Sequence, residues 1–321
     1  MLFPLNPIQA SRVMKSFETK PCYFQGKFVP LENANVNVRT HALQYGTAFF
    51  GGMRAYYNEK KNNLFLVRLE DHHRRLQLSA KILQMKWSMN YDEFKQITLK
   101  ILRDGEWKQN CYLRPLVYKS ELSMSPRLHN VEDDFLMYVI PLDDYLDTKR
   151  GMKTCISSWT RISDNQIPAR SKATGGYINS ALAKSEALEN GYDEAIFLDA
   201  RGFVCEGSAE NIFIVRDGVL YTPGNASAIL EGITRRTVFE LAASLGYSVV
   251  ERDISRTELY VADEAFFCGT GAQVAWIESV DRRIIGNGKI GPITTKLQSL
   301  FFRYVNGEES KFEHLLTKVY S

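Results

Sequence analysis

The sequence predicts a mixed α+β fold in two domains, on three observations. The chain has 321 residues, enough for two domains of usual size. Its 45% hydrophobic and 24% charged residues are the composition of an ordinary globular protein. Segments of strand character outnumber helical ones by more than a simple alternation of strand and helix would allow, which favours α+β over α/β.

The elements follow in order. Tyr23–Pro30 reads as a short hairpin and Asn63–Val67 as a strand leading into a helix. That helix begins near Glu70 and Asp71, acids suited to its positive end, and runs through Leu76, Ala80 and Leu83 on one face. A second helix is expected after Asp92 as cap, with Phe94, Ile97 and Ile101 at helical spacing and Gly105 as its stop. The apolar runs Cys111–Tyr118 and Phe135–Leu142 read as central strands. Asp143–Gly151 is polar, and after a strand at Met152–Trp159 a loop, Thr160–Ile167, leads to Lys172. We therefore divide the chain into a smaller domain at 1–155, an interdomain loop at 156–170 and a larger domain at 171–321. The second part opens with a helix near Ile178–Glu189, stopped by Asn190 and Gly191. Strands at Glu194–Asp199, Phe203–Glu206 and Asn211–Val215 are separated by turns at Ala200–Gly202 and Arg216–Gly218. Gly232-Ile233-Thr234 starts a helix carrying Val238, Leu241, Ala242 and Leu245 and ending at Gly246. Strands near Val249 and at Ala265–Cys268, a glycine-rich loop at Gly286–Gly291 and a helix from about Thr294 complete the chain.

Several function classes are excluded. The net charge of +3 is small, and the densest basic stretches, Arg235-Arg236 and Arg282-Arg283, are only pairs, so no nucleic-acid partner is expected. Five cysteines, widely spaced and odd in number, argue against a disulfide framework and a zinc site. His41, His72, His73, His129 and His314 make no metal spacing, and none is assigned a catalytic role. Met1–Pro7 lacks the pattern of a signal peptide and no run of 18 apolar residues occurs, so a cytoplasmic, membrane-free protein is expected.

Four places carry candidate chemistry. Lys172 lies in Ile167-Pro168-Ala169-Arg170-Ser171-Lys172-Ala173-Thr174-Gly175-Gly176, where small neighbours can leave an amine poorly hydrated and nucleophilic. As one lysine among many it could equally be a solvated surface charge. Glu206 ends a strand among small and apolar residues; a buried acid there needs either a cationic partner, such as a protonated pyridine nitrogen, or the turn amides of Gly207–Ala209. Gly232-Ile233-Thr234 offers helix-start amides and a hydroxyl to an anion, as many helix starts do. Gly269-Thr270-Gly271-Ala272 could do the same, although it lacks the pattern of a nucleotide loop, and Arg75 could add a cation.

In this order the pieces resemble the class IV (fold-type IV) aminotransferases, and most closely those acting on branched-chain amino acids. The resemblance rests on His41-Ala42-Leu43-Gln44-Tyr45-Gly46-Thr47 with Phe50 and Arg54, Tyr112-Leu113-Arg114-Pro115, Ser157-Ser158-Trp159, Lys172 with Tyr177, Glu206–Asn211, Gly232–Arg235 and Gly269-Thr270. It implies a two-domain D-amino acid aminotransferase-like architecture, with a small N-terminal α/β domain and a larger C-terminal pseudo-barrel domain, and pyridoxal 5'-phosphate as cofactor.

By that resemblance Lys172 is the Schiff-base lysine and Glu206 the partner of the pyridine nitrogen. Arg75, Ile233, Thr234 and Thr270 match phosphate binders, and Tyr177 a partner of the ring oxygen. Tyr45, Phe50, Arg54, Tyr112, Arg114 and Trp159 match substrate-pocket residues, with Gly271 and Ala272 in the turn that receives the α-carboxylate. The implied reaction is a ping-pong exchange between leucine, isoleucine or valine and 2-oxoglutarate, in a homodimer or larger homo-oligomer. Related alternatives are a D-amino acid or amine transaminase, an aminodeoxychorismate lyase, and a non-catalytic relative. Gly51 stands where the family commonly has a glutamate, Gly176 where an asparagine is usual, and Pro126 in a nearby loop, so substrate range is where this chain departs from the pattern.

Overall fold

The computed structural model describes residues 17–142 and 148–320. The N-terminal stretch Met1–Pro7 and the first part of the polar stretch Asp143–Gly151 lie outside the described residues. The chain forms two compact units: one of Met1–Asp143, Ser171–Gly175 and Tyr304–Ser321, the other of Asp144–Arg170 and Gly176–Arg303. The division differs from the one expected at 155 and 170. Two short pieces from the later part of the chain, one of them holding Lys172, pack with the first unit.

In the first unit an antiparallel sheet runs in the order Leu316–Lys318, Asn63–Val67, Met53–Asn58, Cys111–Lys119, Asp133–Pro141, Pro21–Phe24, Lys27–Pro30. Ala48–Phe50 pairs with the far end of Cys111–Lys119, setting Phe50 opposite Leu116. Helices Leu69–Ile82 and Tyr91–Asp104 pack on this sheet, and Leu76, Phe94, Ile101, Leu113 and Met137 meet in one core. The second helix is capped by Asn90, not Asp92: the Asn90 side chain accepts from the Glu93 N–H at 2.9 Å, which puts Asp92 inside the first turn. Strands Ala48–Phe50 and Met53–Asn58 were not expected. They are buried almost throughout and so show no alternation in sequence.

The second unit has a mixed sheet in the order Val204–Gly207, Glu194–Leu198, Met152–Ile156, Gln273–Val280, Glu264–Gly269, Asn211–Arg216, Val219–Thr222, Val249–Glu251. Met152–Ile156 runs parallel to both its neighbours, and it ends at Ile156 instead of Trp159. Helix Tyr177–Glu189 closes as expected: Gly191 takes φ 78°, a left-handed turn that favours glycine. Ile196, Ile212, Ile214, Phe267 and Ile277 fill the core. Among the described residues no helix is long and apolar enough to cross a membrane.

Candidate active site

Lys172 is held by backbone. Phe50 N–H donates to the Lys172 carbonyl at 3.3 Å, Phe49 and Ala173 form a β-bridge, and Thr174 Oγ1 donates to the carbonyls of Gly46 (2.8 Å) and Ala48 (3.2 Å). The segment thus acts as a short extra strand against Ala48–Phe50. Gly46 must be glycine for this approach: it has φ 64°, and a Cβ there would lie 2.9 Å from Gly175 Cα. Lys172 itself has φ 42°, a left-handed conformation that costs a residue with a side chain about 1 kcal/mol. Its Nζ stands 5.2 Å from the centre of the Phe50 ring.

Phe50 serves two cations. The Arg114 guanidinium lies 4.4 Å from the same ring and donates to Tyr112 Oη at 3.2 Å, while its Nε is buried without a partner. A buried unmet donor on a cation favours an incoming anion. Gly52 makes room for this arrangement, since a Cβ there would sit 2.1 Å from Tyr112 Oη. Tyr45, at the end of helix His41–Tyr45, packs edge-on against His41 at 4.8 Å. Arg54 is different: it is 1% exposed, donates to the Leu142 carbonyl at 3.2 Å and lies over Tyr56. The structure places Arg54 in the buried part of the first unit, bonded to backbone.

Behind Phe50, helix Leu69–Ile82 presents His72 and Arg75 one turn apart. Burial pushes the His72 imidazole well below its ordinary value, and the charges of Arg75, Lys172 and Arg68 push it further in the same direction.

The second unit organises Glu206, which is 4% exposed. Its Oε1 is 2.7 Å from an Arg161 nitrogen, and its Oε2 accepts from Asn211 Nδ2 at 3.2 Å and from the Leu230 N–H at 3.1 Å. Of the two partners expected for a buried acid, a cation or the turn amides of Gly207–Ala209, the structure supplies a cation, Arg161. Asn211 also sets the approach to the next helix, because a Cβ on Gly232 would lie 2.0 Å from its Oδ1. Helix Ile233–Ser244 then begins at Gly232 with no side-chain cap, its Ile233 and Thr234 both largely buried. The contrast with helix Pro292–Val305 is informative: there Glu264 accepts from the N–H groups of Ile293 and Thr294 at 3.0 and 2.7 Å. One helix start is filled by a carboxylate of the chain; the other has no side-chain cap on its first N–H groups.

Strand pairing of Asn211 with Cys268 brings the Gly269-Thr270-Gly271-Ala272 turn beside Ala209 and Glu210, with Ala272 buried. Glu186 accepts from Ser157 Oγ at 2.5 Å and from the Ser158 N–H at 3.0 Å, fixing the turn whose next residue, Trp159, is 44% exposed. Tyr177 opens helix Tyr177–Glu189, half-buried. The first unit therefore gathers Lys172, Phe50, Arg114 and Tyr112 with His72 and Arg75 behind them, and the second gathers Glu206, Ile233, Thr234 and Thr270.

Arg161 and His72 are the site residues that sequence reasoning missed. Arg161 lies in a polar loop and reads as a surface charge; the one signal for it was the demand of a buried Glu206 for a cation. His72 sits in His72-His73-Arg74-Arg75, where neither metal spacing nor triad order marks it.

The chain belongs to the class IV aminotransferases: the family model described as amino-transferase class IV matches residues 48–280. The family works with pyridoxal 5'-phosphate. Its relatives are more specific. A probable branched-chain-amino-acid aminotransferase of Aquifex aeolicus is 44% identical over 309 residues, covering 96% of this chain and 99% of the relative. The crystal structure of the branched-chain aminotransferase of Thermoproteus uzoniensis with norvaline is similar at a TM-score of 0.90 and 41% identity, covering 94% of this chain and 99% of that one. The branched-chain amino acid aminotransferase of Thermobaculum terrenum in its PLP form is similar at 0.90 and 37% identity, covering 95% and 100%.

The residues present fit that cofactor. Lys172 offers an amine on fixed backbone, Glu206 a buried acid for a pyridine nitrogen, and Gly232–Thr234 an uncapped helix start for a phosphate.

Proposed function

We propose that this chain is a branched-chain L-amino acid aminotransferase that passes the amino group of leucine, isoleucine or valine to 2-oxoglutarate in two half-reactions. When bound, pyridoxal 5'-phosphate supplies an electron sink beside the substrate α-carbon. Lys172 Nζ is the anchor for the cofactor aldehyde and, once released, the base that takes the α-proton and returns it on the other side of the exchange. Glu206, oriented by Arg161, Asn211 and Leu230, receives the pyridine N–H on its carboxylate. Ile233, Thr234 and Thr270 supply donors to the phosphate and Arg75 a cation; Tyr177 bonds the ring oxygen. Phe50, Tyr45 and Trp159 give apolar surface to a branched side chain, Tyr112 and Arg114 bind the side-chain carboxylate of glutamate, and Gly271 and Ala272 the α-carboxylate.

The observation that carries this reading is Lys172 on its strand-bonded backbone over Phe50, with Arg114 on the same ring. Two half-reactions test it. Mixed with L-leucine or L-glutamate, the holoenzyme is expected to lose its cofactor absorption band; a band bleached by D-alanine and left intact by L-leucine would overturn the substrate assignment. Borohydride treatment before digestion is expected to place the label on the Lys172 peptide.

The reading extends to a cytoplasmic homodimer. Five cysteines that are all buried and free suit a reducing compartment. Ile178 and Leu182, one turn apart on helix Tyr177–Glu189, are 68% and 40% exposed, an apolar stripe suited to a second copy. Sedimentation equilibrium giving a monomer mass at micromolar concentration would refute the dimer.

A further inference from the structure

His72 is 3% exposed, and its Nδ1 is buried with no hydrogen-bond partner. A buried ring nitrogen left unmet carries a desolvation cost that is removed if a partner arrives in another state of the protein. The surroundings say which partner. Helix Leu69–Ile82, which carries His72, packs on strand Ala48–Phe50, the strand whose backbone holds Lys172 through the Phe50 N–H and the Phe49–Ala173 bridge. Three charged groups act on the imidazole: Arg75, Lys172 and Arg68, the last with its carbonyl accepting the His72 N–H at 3.1 Å and its guanidinium paired with Asp71 at 2.8 Å. All three are cations. A neutral imidazole in their midst can offer them only an acceptor, and Lys172 is the one whose attachment changes during the proposed reaction.

We infer that His72 is a positioning residue whose Nδ1 accepts a hydrogen bond from Lys172 Nζ whenever that amine is released from the cofactor. The inference rests on Lys172 being the cofactor lysine. No bond other than the hydrogen bond forms. Its effect is to keep the released amine at one place, one N–H held by Nδ1 and its lone pair turned toward the reacting carbon, so that the second half-reaction starts from a fixed base. The ring must then be the Nε2–H tautomer, leaving Nδ1 as acceptor.

Holoenzyme labelled with ring-¹⁵N histidine tests this directly, with His72→Asn supplying the assignment. The His72 Nδ1 signal is expected at the position of an unprotonated ring nitrogen, and to move upfield when excess L-glutamate releases Lys172. A protonated Nδ1, or one that does not move on release, overturns the inference. Two variants add a kinetic readout, since the Asn amide oxygen falls near the Nδ1 position and a Leu side chain has no acceptor. His72→Leu is expected to slow the second half-reaction about tenfold, the size of one lost hydrogen bond, and His72→Asn to restore it to within about twofold. Equal loss in both would mean packing, not acceptance. The borohydride label separates the two failures: no label on Lys172 sinks the cofactor reading, whereas a labelled Lys172 with a static His72 signal sinks this inference alone.

Discussion

Arg161 and Glu206 form a buried ion pair of 2.7 Å in which neither side chain is more than 14% exposed. Arg161 is itself fixed, its N–H donating to the Leu198 carbonyl at 2.9 Å and its guanidinium lying over Phe197 at 5.4 Å. Removing one partner of such a pair leaves the other charge buried, which costs far more than the pair contributes. Arg161→Met is therefore expected to lower stability by about 3 kcal/mol. The double variant with Glu206→Gln should lose less than the single one. Urea denaturation checks both, and an unchanged midpoint for Arg161→Met would show that the pair carries no weight.

Lys172 combines a reactive group with a left-handed backbone, φ 42°. Chemistry and stability should therefore separate on substitution. Lys172→Ala and Lys172→Gly are both expected to lose covalent cofactor attachment and to lower kcat by roughly 10²–10⁴. Of the two, Lys172→Gly should be the more stable by about 1 kcal/mol, because glycine adopts this φ without strain. Thermal unfolding of the two apoproteins decides the matter; an alanine variant as stable as the glycine one would remove the claim of strain.

Gly52 bears on specificity more than on folding. A Cβ there would stand 2.1 Å from Tyr112 Oη, the free end of a side chain that can swing away, unlike the Pro115 ring 2.8 Å from a Cβ on Gly51. Gly52→Ala is thus expected to keep stability to within about 1 kcal/mol while displacing the hydroxyl that accepts from Arg114. The KM for 2-oxoglutarate should rise about tenfold, the size of one charge-assisted hydrogen bond, with the KM for leucine changing less. Equal changes for both substrates would argue against a role for the Tyr112–Arg114 pair in carboxylate binding.

Amphipathic segments were the readable part of this fold. Phe94, Ile97 and Ile101 mark their helix because one face is buried and the other wet, so the pattern survives in sequence. Strand Gln273–Val280, buried along most of its length, has no such signature and was missed, as were Ala48–Phe50 and Met53–Asn58. Lys172 and Glu206 were found because their neighbours are small and apolar and because they occur in order with the other markers. That Lys172 packs with the first unit could not be read, since it depends on pairing with Phe49 and Phe50 more than 120 residues away. Arg161 was hidden for a similar reason: its loop looks polar, and only the folded chain turns it onto an acid.

His72 also predicts how stability varies with pH. Its folded-state value lies well below the ordinary 6.5, through burial first and the charges of Arg75, Lys172 and Arg68 second. Between the two values the unfolded chain holds a proton that the native protein does not, so stability rises with pH across that window and is lost as pH falls below about 6.5. The slope for this one group is at most about 1.4 kcal/mol per pH unit. His72→Asn, which cannot titrate, should flatten the fall in Tm between pH 6.5 and 5 relative to the unsubstituted protein. Parallel curves for the two would assign the acid sensitivity to other groups.

The cysteines predict resistance to thiol reagents. Burial pushes Cys155 up to about 12, with Asp281, Glu186 and Glu194 adding to it, and burial pushes Cys268 up to about 12 as well. Cys22, Cys111 and Cys205 are raised for the same first reason, and all five are buried. The thiolate is the reactive form, so at pH 8 the fraction available at Cys155 or Cys268 is roughly three orders of magnitude below that of a free cysteine. Steric burial slows attack further, leaving local opening as the route to reaction. Native protein mixed with a chromogenic disulfide at pH 8 is therefore expected to release almost no colour within minutes and to keep its transaminase activity, whereas the denatured chain should titrate all five thiols at once. Rapid release from the native protein with parallel loss of activity would require an exposed, ionised cysteine close to Lys172 or Glu206, and the burial of all five argues against one.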